Sequence, residues 1–169
     1  VKFTILPTDF TVHPHGIDVV TIDSIPYLYA ISHDQEGENW RHRVIRFVIQ
    51  KDTLLADTDH IMENELMNVP NDLDVLEDGS FYASNYVPNM NPAESTKAIL
   101  GIKNGSVVHY DGKGNWQIVL DKMCYPNGIW VDQEKDFLFV ANGGCKEVAS
   151  YKIKNGQVDP TTKSSTKKH

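Results

Sequence analysis

Apolar and polar residues alternate along most of the chain in short runs that are rich in β-branched and aromatic side chains. A period of two predicts half-buried β-strands. Asn-Gly, Asp-Gly and Gly-Asn pairs lie between the runs and predict tight turns. Helical periodicity exceeds about two turns only in segment 87–98, which contains Pro and Asn and is interpreted as a loop. The pattern therefore predicts an all-β fold.

The pattern also recurs with a fixed period. Three hexapeptides begin at Pro14, Pro70 and Pro126, so each copy starts 56 residues after the previous one. Each is followed by an aromatic and β-branched run that ends on a polar residue, over 27–33, 81–85 and 137–142. Further strands are predicted over 42–50, 53–56, 106–110, 117–120 and 147–154. Four short strands in a repeat of about 50 residues are typical of a β-propeller blade.

We therefore predict a partial β-propeller over residues 1–158. Its three four-stranded blades cover roughly residues 10–66, 67–121 and 122–158. Closed propellers typically have about four to eight blades, so we expect the chain to be a fragment of a larger ring. Segment 1–9 is interpreted as the last strand of a preceding blade. Residues 159–169, rich in Thr, Ser and Lys, are predicted to be a disordered polar tail.

Composition narrows the classes of function. Apolar residues make up 40% and charged residues 23% of the chain, which is ordinary for a globular domain. The net charge of −7 argues against nucleic-acid binding and weakly favours cation binding. No apolar run is long enough to span a bilayer. Cys124 and Cys145 lack metal-ligand spacing; they could pair or stay free, and they do not decide the compartment.

The repeat brings distant polar residues together. His15, Asn71 and Asn127 occupy the same position in successive repeats, at the start of the strand expected to line the channel, so they converge at one mouth of the propeller. Asn amide oxygens and the neighbouring Asp72 carboxylate are donors that calcium prefers. Each residue could instead be a turn former that bonds the local backbone. We do not expect Asp72 and Asp74 to act as paired carboxylates.

His15 and His33 form the candidate proton-transfer pair. His33 ends the strand that follows His15, where the two rings could approach each other. A histidine can take a proton from water near neutral pH, and a second one can orient it. The alternative is that both are hydrogen-bonded structural histidines. His42 and the remaining histidines are weaker candidates.

These motifs resemble those of the serum paraoxonase/arylesterase family. The resemblance rests on the runs at 12–19, 29–33, 70–73, 126–129 and 139–142 and extends from about residue 10 to residue 153. It implies a six-bladed propeller that holds two calcium ions in its channel, one catalytic and one structural. It also implies a secreted or membrane-associated extracellular protein, although the sequence itself does not settle the location.

The resemblance further implies a role for each candidate residue. Asn71 and Asn127 match ligands of the catalytic calcium. Asp72 and the backbone carbonyl of Ile17 match ligands of the structural calcium. The two histidines match a catalytic dyad that activates water, while calcium polarises the carbonyl of an aryl ester or lactone.

Other ligands of the family pattern do not match residues of this sequence. An acidic ligand would precede Val1, an Asp-Asn pair would follow His169, and the family's ring-closing disulfide is absent. We therefore expect the chain to bind calcium weakly and to have little hydrolytic activity.

Three alternatives remain open. One is a non-catalytic propeller that acts as a binding or chaperone-like module. Another is a gluconolactonase-like or strictosidine-synthase-like member of the same superfamily. In a third, the missing blades are supplied by self-association of two half-propellers.

Overall fold

Strands form wherever β-branched and aromatic residues alternate with polar ones, and their register is set by tight turns. The computed structural model describes residues 4–5, 11–37, 39–154 and 157–166. The strands are β1 (Thr4–Ile5), β2 (Pro14–Ile22), β3 (Ile25–Glu36), β4 (Asn39–Gln50), β5 (Thr53–Met62), β6 (Pro70–Val75), β7 (Phe81–Asn85), β8 (Gly105–Tyr110), β9 (Trp116–Met123), β10 (Pro126–Asp132), β11 (Phe137–Asn142), β12 (Glu147–Lys154) and β13 (Gln157–Ser165). One α-helix, α1 (Pro92–Ile99), and one 3₁₀ turn (Gly143–Cys145) complete the described elements.

The strands form three sheets, each an antiparallel meander of four consecutive strands. These are β2–β5, β6–β9 and β10–β13, and β1 adds a fifth strand to the first sheet. The sheets are blades of an open propeller, and the predicted all-β architecture is confirmed. No helix in the described part of the chain is long and apolar enough to cross a membrane.

The segment predicted to be a loop at 87–98 contains a helix instead. The Asn91 side chain caps α1 by accepting a hydrogen bond from the Ala93 amide at 2.9 Å, and Pro92 starts the first turn. Asn and Pro disfavour the interior of a helix but stabilise its N-terminus. The loop prediction was wrong because it counted both residues as helix breakers.

The prediction of a disordered tail at 159–169 is wrong for its described strand residues. Residues 159–165 belong to β13, which pairs with β12. Val158 is buried, and the Thr162 hydroxyl accepts a hydrogen bond from the Lys152 amide at 2.8 Å. A strand edge can pair with a polar segment because the ladder uses backbone groups. The last three residues of the chain lie outside the described residues.

The start of the chain also differs from the prediction. Of segment 1–9, predicted to be the last strand of a preceding blade, only Thr4–Ile5 lies within the described residues. It pairs in parallel with Thr53 and Leu54 at the outer edge of the first blade.

The inner strands of neighbouring blades are joined by a repeated hydrogen bond, here called the inter-blade clasp. Asp18 on β2 accepts a bond from the Val75 amide on β6 at 2.8 Å. Asp74 on β6 accepts the equivalent bond from the Val131 amide on β10. Donor and acceptor are 57 residues apart in both cases, so the clasp follows the sequence repeat. The third copy of the carboxylate position is occupied by Trp130.

Apolar residues fill the space between adjacent blades. Leu73 and Val75 on β6 are each 3% exposed because they pack against the first blade. Ile17 and Val19, the same positions on β2, are 57% and 58% exposed. The described residues place no blade against this side of β2. The apolar residues on this side of β2 are therefore exposed, whereas the equivalent residues of β6 are buried against the first blade.

A disulfide ties the second blade to the third. Cys124 follows β9 and bonds to Cys145 in the 3₁₀ turn, with Cα atoms 5.7 Å apart. Helix α1 packs against the same turn so closely that a Cβ atom on Gly144 would lie 2.3 Å from the Ala98 carbonyl oxygen. Only glycine fits there, and the disulfide fixes the support under α1.

Loss of a clasp should destabilise the fold. Asp74→Ala leaves the buried Val131 amide unpaired, so we expect the free energy of unfolding to fall by about 1–3 kcal/mol. Asp74→Asn retains an acceptor and should cost less. Urea denaturation measures both, with Asp59→Ala on the exposed part of β5 as control. Equal midpoints for Asp74→Ala and the control would contradict the clasp.

Removing the disulfide should have a comparable cost. The cysteines are 21 residues apart, and closing a loop of this size contributes about 3 kcal/mol. The double variant Cys124→Ser/Cys145→Ser should therefore melt at a lower temperature in calorimetry. A reducing agent should lower the melting temperature of the wild type and leave that of the double variant unchanged; equal sensitivity of the two proteins would exclude the bond.

Candidate functional site

The first blade carries a hairpin extension that the other two blades lack. The innermost strands of the three blades start at Pro14, Pro70 and Pro126. These prolines pair with Ser32, Asn85 and Asn142, respectively, on the second strand of each blade. Strands β7 and β11 end at this level, whereas β3 continues to Glu36 and pairs with the start of β4. The described residues 33–37 and 39–42 are called the hairpin extension, and they project from the end of the propeller at which Pro14, Pro70 and Pro126 lie.

Three histidines form a series across the base of this extension. His15 Nδ1 lies 2.9 Å from His33 Nε2, so the structure brings the two candidate residues together. His33 Nδ1 lies 2.7 Å from His42 Nδ1, and the Trp40 ring stacks on His42. The sequence analysis ranked His42 low. The hairpin register, which places His33 opposite His42, is the signal that would have identified it.

The environment keeps the inner histidines neutral. Burial, followed by the proximity of His42 and His15, lowers the pKa of His33 to about 4. Burial also lowers the pKa of His42. Both rings are therefore uncharged near neutral pH, and each can accept a hydrogen bond at one nitrogen while it donates from the other.

A buried polar network fixes the start of β2 against β3. The Ser32 hydroxyl accepts a bond from the His13 amide at 2.9 Å and donates to Asp34 at 3.1 Å. The buried Arg43 guanidinium donates to the same carboxylate from Nε at 2.9 Å. The His33 amide donates to the His13 carbonyl at 3.1 Å. These bonds hold His15, two residues further along β2, within reach of His33.

Beside the histidines, one carboxylate lies between two glycines. Gly16, Asp72 and Gly128 occupy the same position in the three repeats. A Cβ atom on Gly16 would lie 3.1 Å from Asp72 Oδ1 and 2.7 Å from its Cα, and one on Gly128 would lie 3.8 Å from Asp72 Oδ2. Gly16 therefore leaves no room for a side chain of its own, Gly128 lies at ordinary contact distance, and the two glycines flank the carboxylate in an arrangement called here the cradle. The Ile129 amide donates to the carboxylate at 3.1 Å.

The carboxylates of β2 and β6 lie close to one another. Burial raises the pKa of Asp72, and the proximity of Asp18 raises it further. Burial and then Asp18 raise the pKa of Asp74 to about 7. Residues two apart on a strand share a face, and both Asp72 and Asp74 accept bonds from β10 amides. The two carboxylates therefore lie on one face of β6 and hydrogen-bond different amides of β10, and that they do not act as paired carboxylates stays a prediction.

The two asparagines present their side chains differently from local turn formers. Asn71 is half-buried and Asn127 is exposed. Within the described residues, neither side-chain amide has a hydrogen-bond partner. The buried Ser84 hydroxyl instead donates to the Asn127 backbone carbonyl at 2.6 Å and accepts from the Asp72 amide. Ser84 was not among the predicted site residues; it joins the starts of β6 and β10.

Amide, carboxylate and carbonyl oxygens at this mouth are the donor types that calcium takes. The half-buried Asp72 and the raised pKa values of the acidic side chains also fit a cation. No group of three or more His, Cys, Asp or Glu side chains in the described residues is arranged to hold a metal ion. Calcium at this position would therefore depend on Asn71, Asn127 and the Ile17 carbonyl as well as on Asp72.

A cavity of about 670 Å³ opens beside the hairpin extension. Its lining includes Trp40, His42, Met67 and Met90. Arg41 donates to the Glu63 carboxylate from Nε at 2.6 Å and Nη2 at 2.9 Å, joining the extension to the segment after β5. The third histidine is therefore next to a space large enough for a small molecule.

The family model of the arylesterases matches residues 5–163, nearly the whole chain. The chain belongs to the arylesterase family. Among solved structures, it is similar to a luciferin-regenerating enzyme, with a TM-score of 0.51 and 10% identity over 92% of this chain and 60% of that one. It is also similar to a gluconolactonase from Xanthomonas campestris, with a TM-score of 0.47 and 14% identity over 89% of this chain and 61% of that one.

This arylesterase-family chain spans about 60% of the length of both structures. At such low identity the similarity to the luciferin-regenerating enzyme supports the propeller fold alone. No curated protein sequence matches the chain.

The buried histidine predicts a pH dependence of stability. His33 has a pKa of about 4 in the folded protein and about 6.5 when unfolded. Between these values the unfolded state binds a proton that the folded state does not. The free energy of unfolding should therefore fall by about 1–2 kcal/mol as the pH drops through this window, less than the full pKa difference would give because solvent screens the partly exposed ring. His33→Leu should flatten this part of the profile in urea denaturation, and a slope that persists in the variant would contradict the assignment. His60→Leu, on an exposed histidine, is the control.

Proposed function

We propose that this arylesterase-family chain contributes to a site for calcium-dependent hydrolysis of aryl esters and lactones. The observation that carries the proposal is the 2.9 Å contact between His15 and His33 in a chain that belongs to this family. The neighbouring cradle around Asp72 and the unpartnered amides of Asn71 and Asn127 support it. The substrate is a small-molecule ester or lactone.

His15 is the base in this proposal. Its Nδ1 faces His33, and its Nε2 has no partner among the described residues, so Nε2 is available to accept a proton from water. His33 is held in place by its strand and by the cross-strand contact with His42. A neutral His33 accepts the bond from His15 Nδ1–H and stabilises the positive charge that His15 gains.

Asn71 and Asn127 would hold the catalytic calcium, and Asp72 with the Ile17 carbonyl would hold the structural one. When bound, calcium supplies a Lewis acid that polarises the substrate carbonyl and stabilises the negative charge that develops on its oxygen. The cradle positions Asp72 for this role because Gly16 and Gly128 leave space on both sides of the carboxylate.

We also propose an extracellular or other oxidising location. The disulfide between Cys124 and Cys145 supports it, since such bonds persist mainly in oxidising compartments.

A non-catalytic binding module is the second candidate. It is favoured by the absence of a cluster of three or more His, Cys, Asp or Glu metal ligands among the described residues. The two candidates differ in one expected result: only the hydrolase should turn over an ester or lactone, and this turnover should depend on the histidines and on calcium.

Calcium binding to the isolated chain should be weak. Calcium takes about six to eight oxygen ligands, and the few donors available here leave it largely hydrated, so we expect a Kd of about 10⁻⁴–10⁻³ M in titration calorimetry. Asn71→Ala/Asn127→Ala should weaken binding further. Asn115→Ala, in the turn between β8 and β9, should not. Submicromolar binding by the wild type would contradict the proposed ligand set.

Hydrolysis tests the proposed function directly. Phenyl acetate and a simple lactone are each incubated with the chain in calcium or in chelator. We expect slow turnover that the chelator abolishes and that His15→Asn lowers about 100-fold, because it removes a general base. His60→Asn is the matched control. Turnover that survives both the chelator and His15→Asn would refute the proposal, and a calcium-binding chain without any turnover would favour the binding module.

A further inference from the structure

The third histidine of the series is in contact with the candidate dyad. His33 Nδ1 and His42 Nδ1 are 2.7 Å apart, a distance at which one nitrogen must carry a hydrogen and the other must accept it. The same requirement applies to His15 Nδ1 and His33 Nε2 at 2.9 Å. Each neutral imidazole carries one N–H, so His33 must donate in one of the two hydrogen bonds and accept in the other. The tautomer of one ring therefore determines the tautomers of the other two.

Only one of the two directions makes His15 a base. For His15 Nε2 to accept a proton from water, the hydrogen of this ring must be on Nδ1 and point to His33 Nε2. The hydrogen of His33 is then on Nδ1 and needs an acceptor. His42 Nδ1 is at that place, and its own hydrogen is then on Nε2. In the opposite direction His33 donates to His15, and His15 Nε2 carries a hydrogen.

The surroundings of His42 suit an acceptor at Nδ1. Its Nε2 has no partner among the described residues, and the ring lines the cavity beside the hairpin extension, where Nε2–H can donate to water. The Trp40 ring lies nearly parallel to the His42 ring, with 12° between the planes and 6.5 Å between the ring centroids. The ring is held across the strands from His33, in register, by the ladder of β3 and β4.

We propose that His42 is a positioning residue that sets the tautomer of His33 and thereby makes His15 Nε2 available as a base. The proposal rests on the proposed function, because it assigns His42 a part in the same reaction. It also explains the hairpin extension: without the extra residues of β3 and β4 there would be no ring to accept the hydrogen of His33 Nδ1.

Nitrogen-15 NMR of the histidine rings, recorded on the whole chain at neutral pH, tests the tautomer without any need for activity. We expect the hydrogen of His33 on Nδ1 in the wild type and on Nε2 in His42→Leu, which removes the acceptor. His42→Asn provides an amide oxygen near the position of Nδ1 and should retain the wild-type tautomer. His60→Leu is the control. Hydrogen on His33 Nε2 in the wild type, or the same tautomer in wild type and His42→Leu, would overturn the proposal.

Kinetics provide the second measurement. With phenyl acetate, we expect His42→Leu to lower kcat about tenfold with little change in KM, and His42→Asn to restore most of the rate. An active wild type whose kcat is unchanged in His42→Leu would overturn the positioning role. A wild type without turnover, in which the tautomer still responds to His42→Leu, would refute the proposed function and support the effect of His42 on the dyad.

Discussion

The inter-blade clasp is the interaction on which the rest of the structure depends. A carboxylate on one inner strand accepts the backbone amide of the next, from Asp18 to β6 and from Asp74 to β10. A hydrogen bond to a backbone amide fixes the height of one strand against the other, which apolar packing alone does not do. The motif residues at the strand starts therefore lie at one level, and residues far apart in sequence form one site.

The same constraint explains why the repeats differ in sequence. A side chain in the first repeat at the position of Asp72 would collide with the second blade, because a Cβ atom on Gly16 would lie 2.5 Å from the Asn71 carbonyl oxygen, whereas one on Gly128 would meet Asp72 only at an ordinary contact distance of 3.8 Å. One carboxylate flanked by two glycines fills the space. A symmetric framework thus holds an asymmetric set of groups, with a histidine in the first repeat and asparagines in the others.

The repeat made the blades predictable because strand alternation and period are properties of sequence alone. The contact between His15 and His33 was foreseeable from neighbouring strands of one blade. The position of His42 was not foreseeable, since its place opposite His33 depends on how far the hairpin extends before it turns. Helix α1 was missed for a different reason: Asn91 and Pro92 are compatible with the start of a helix as well as with a loop. Ser84 becomes part of the site only through contacts between blades.

The clasp also has a direction, because the carboxylate always belongs to the earlier blade and the amide to the later one. Blades therefore join head to tail, as subunits do in a heterologous interface. In the first blade, β2 exposes Ile17 and Val19. In the third blade, β10 has Trp130 at the position that Asp18 and Asp74 occupy in the earlier blades. A second copy docked against Trp130 could not repeat this bond from that position. A junction that β10 formed with a further strand would therefore be chemically different from the two junctions between the described blades.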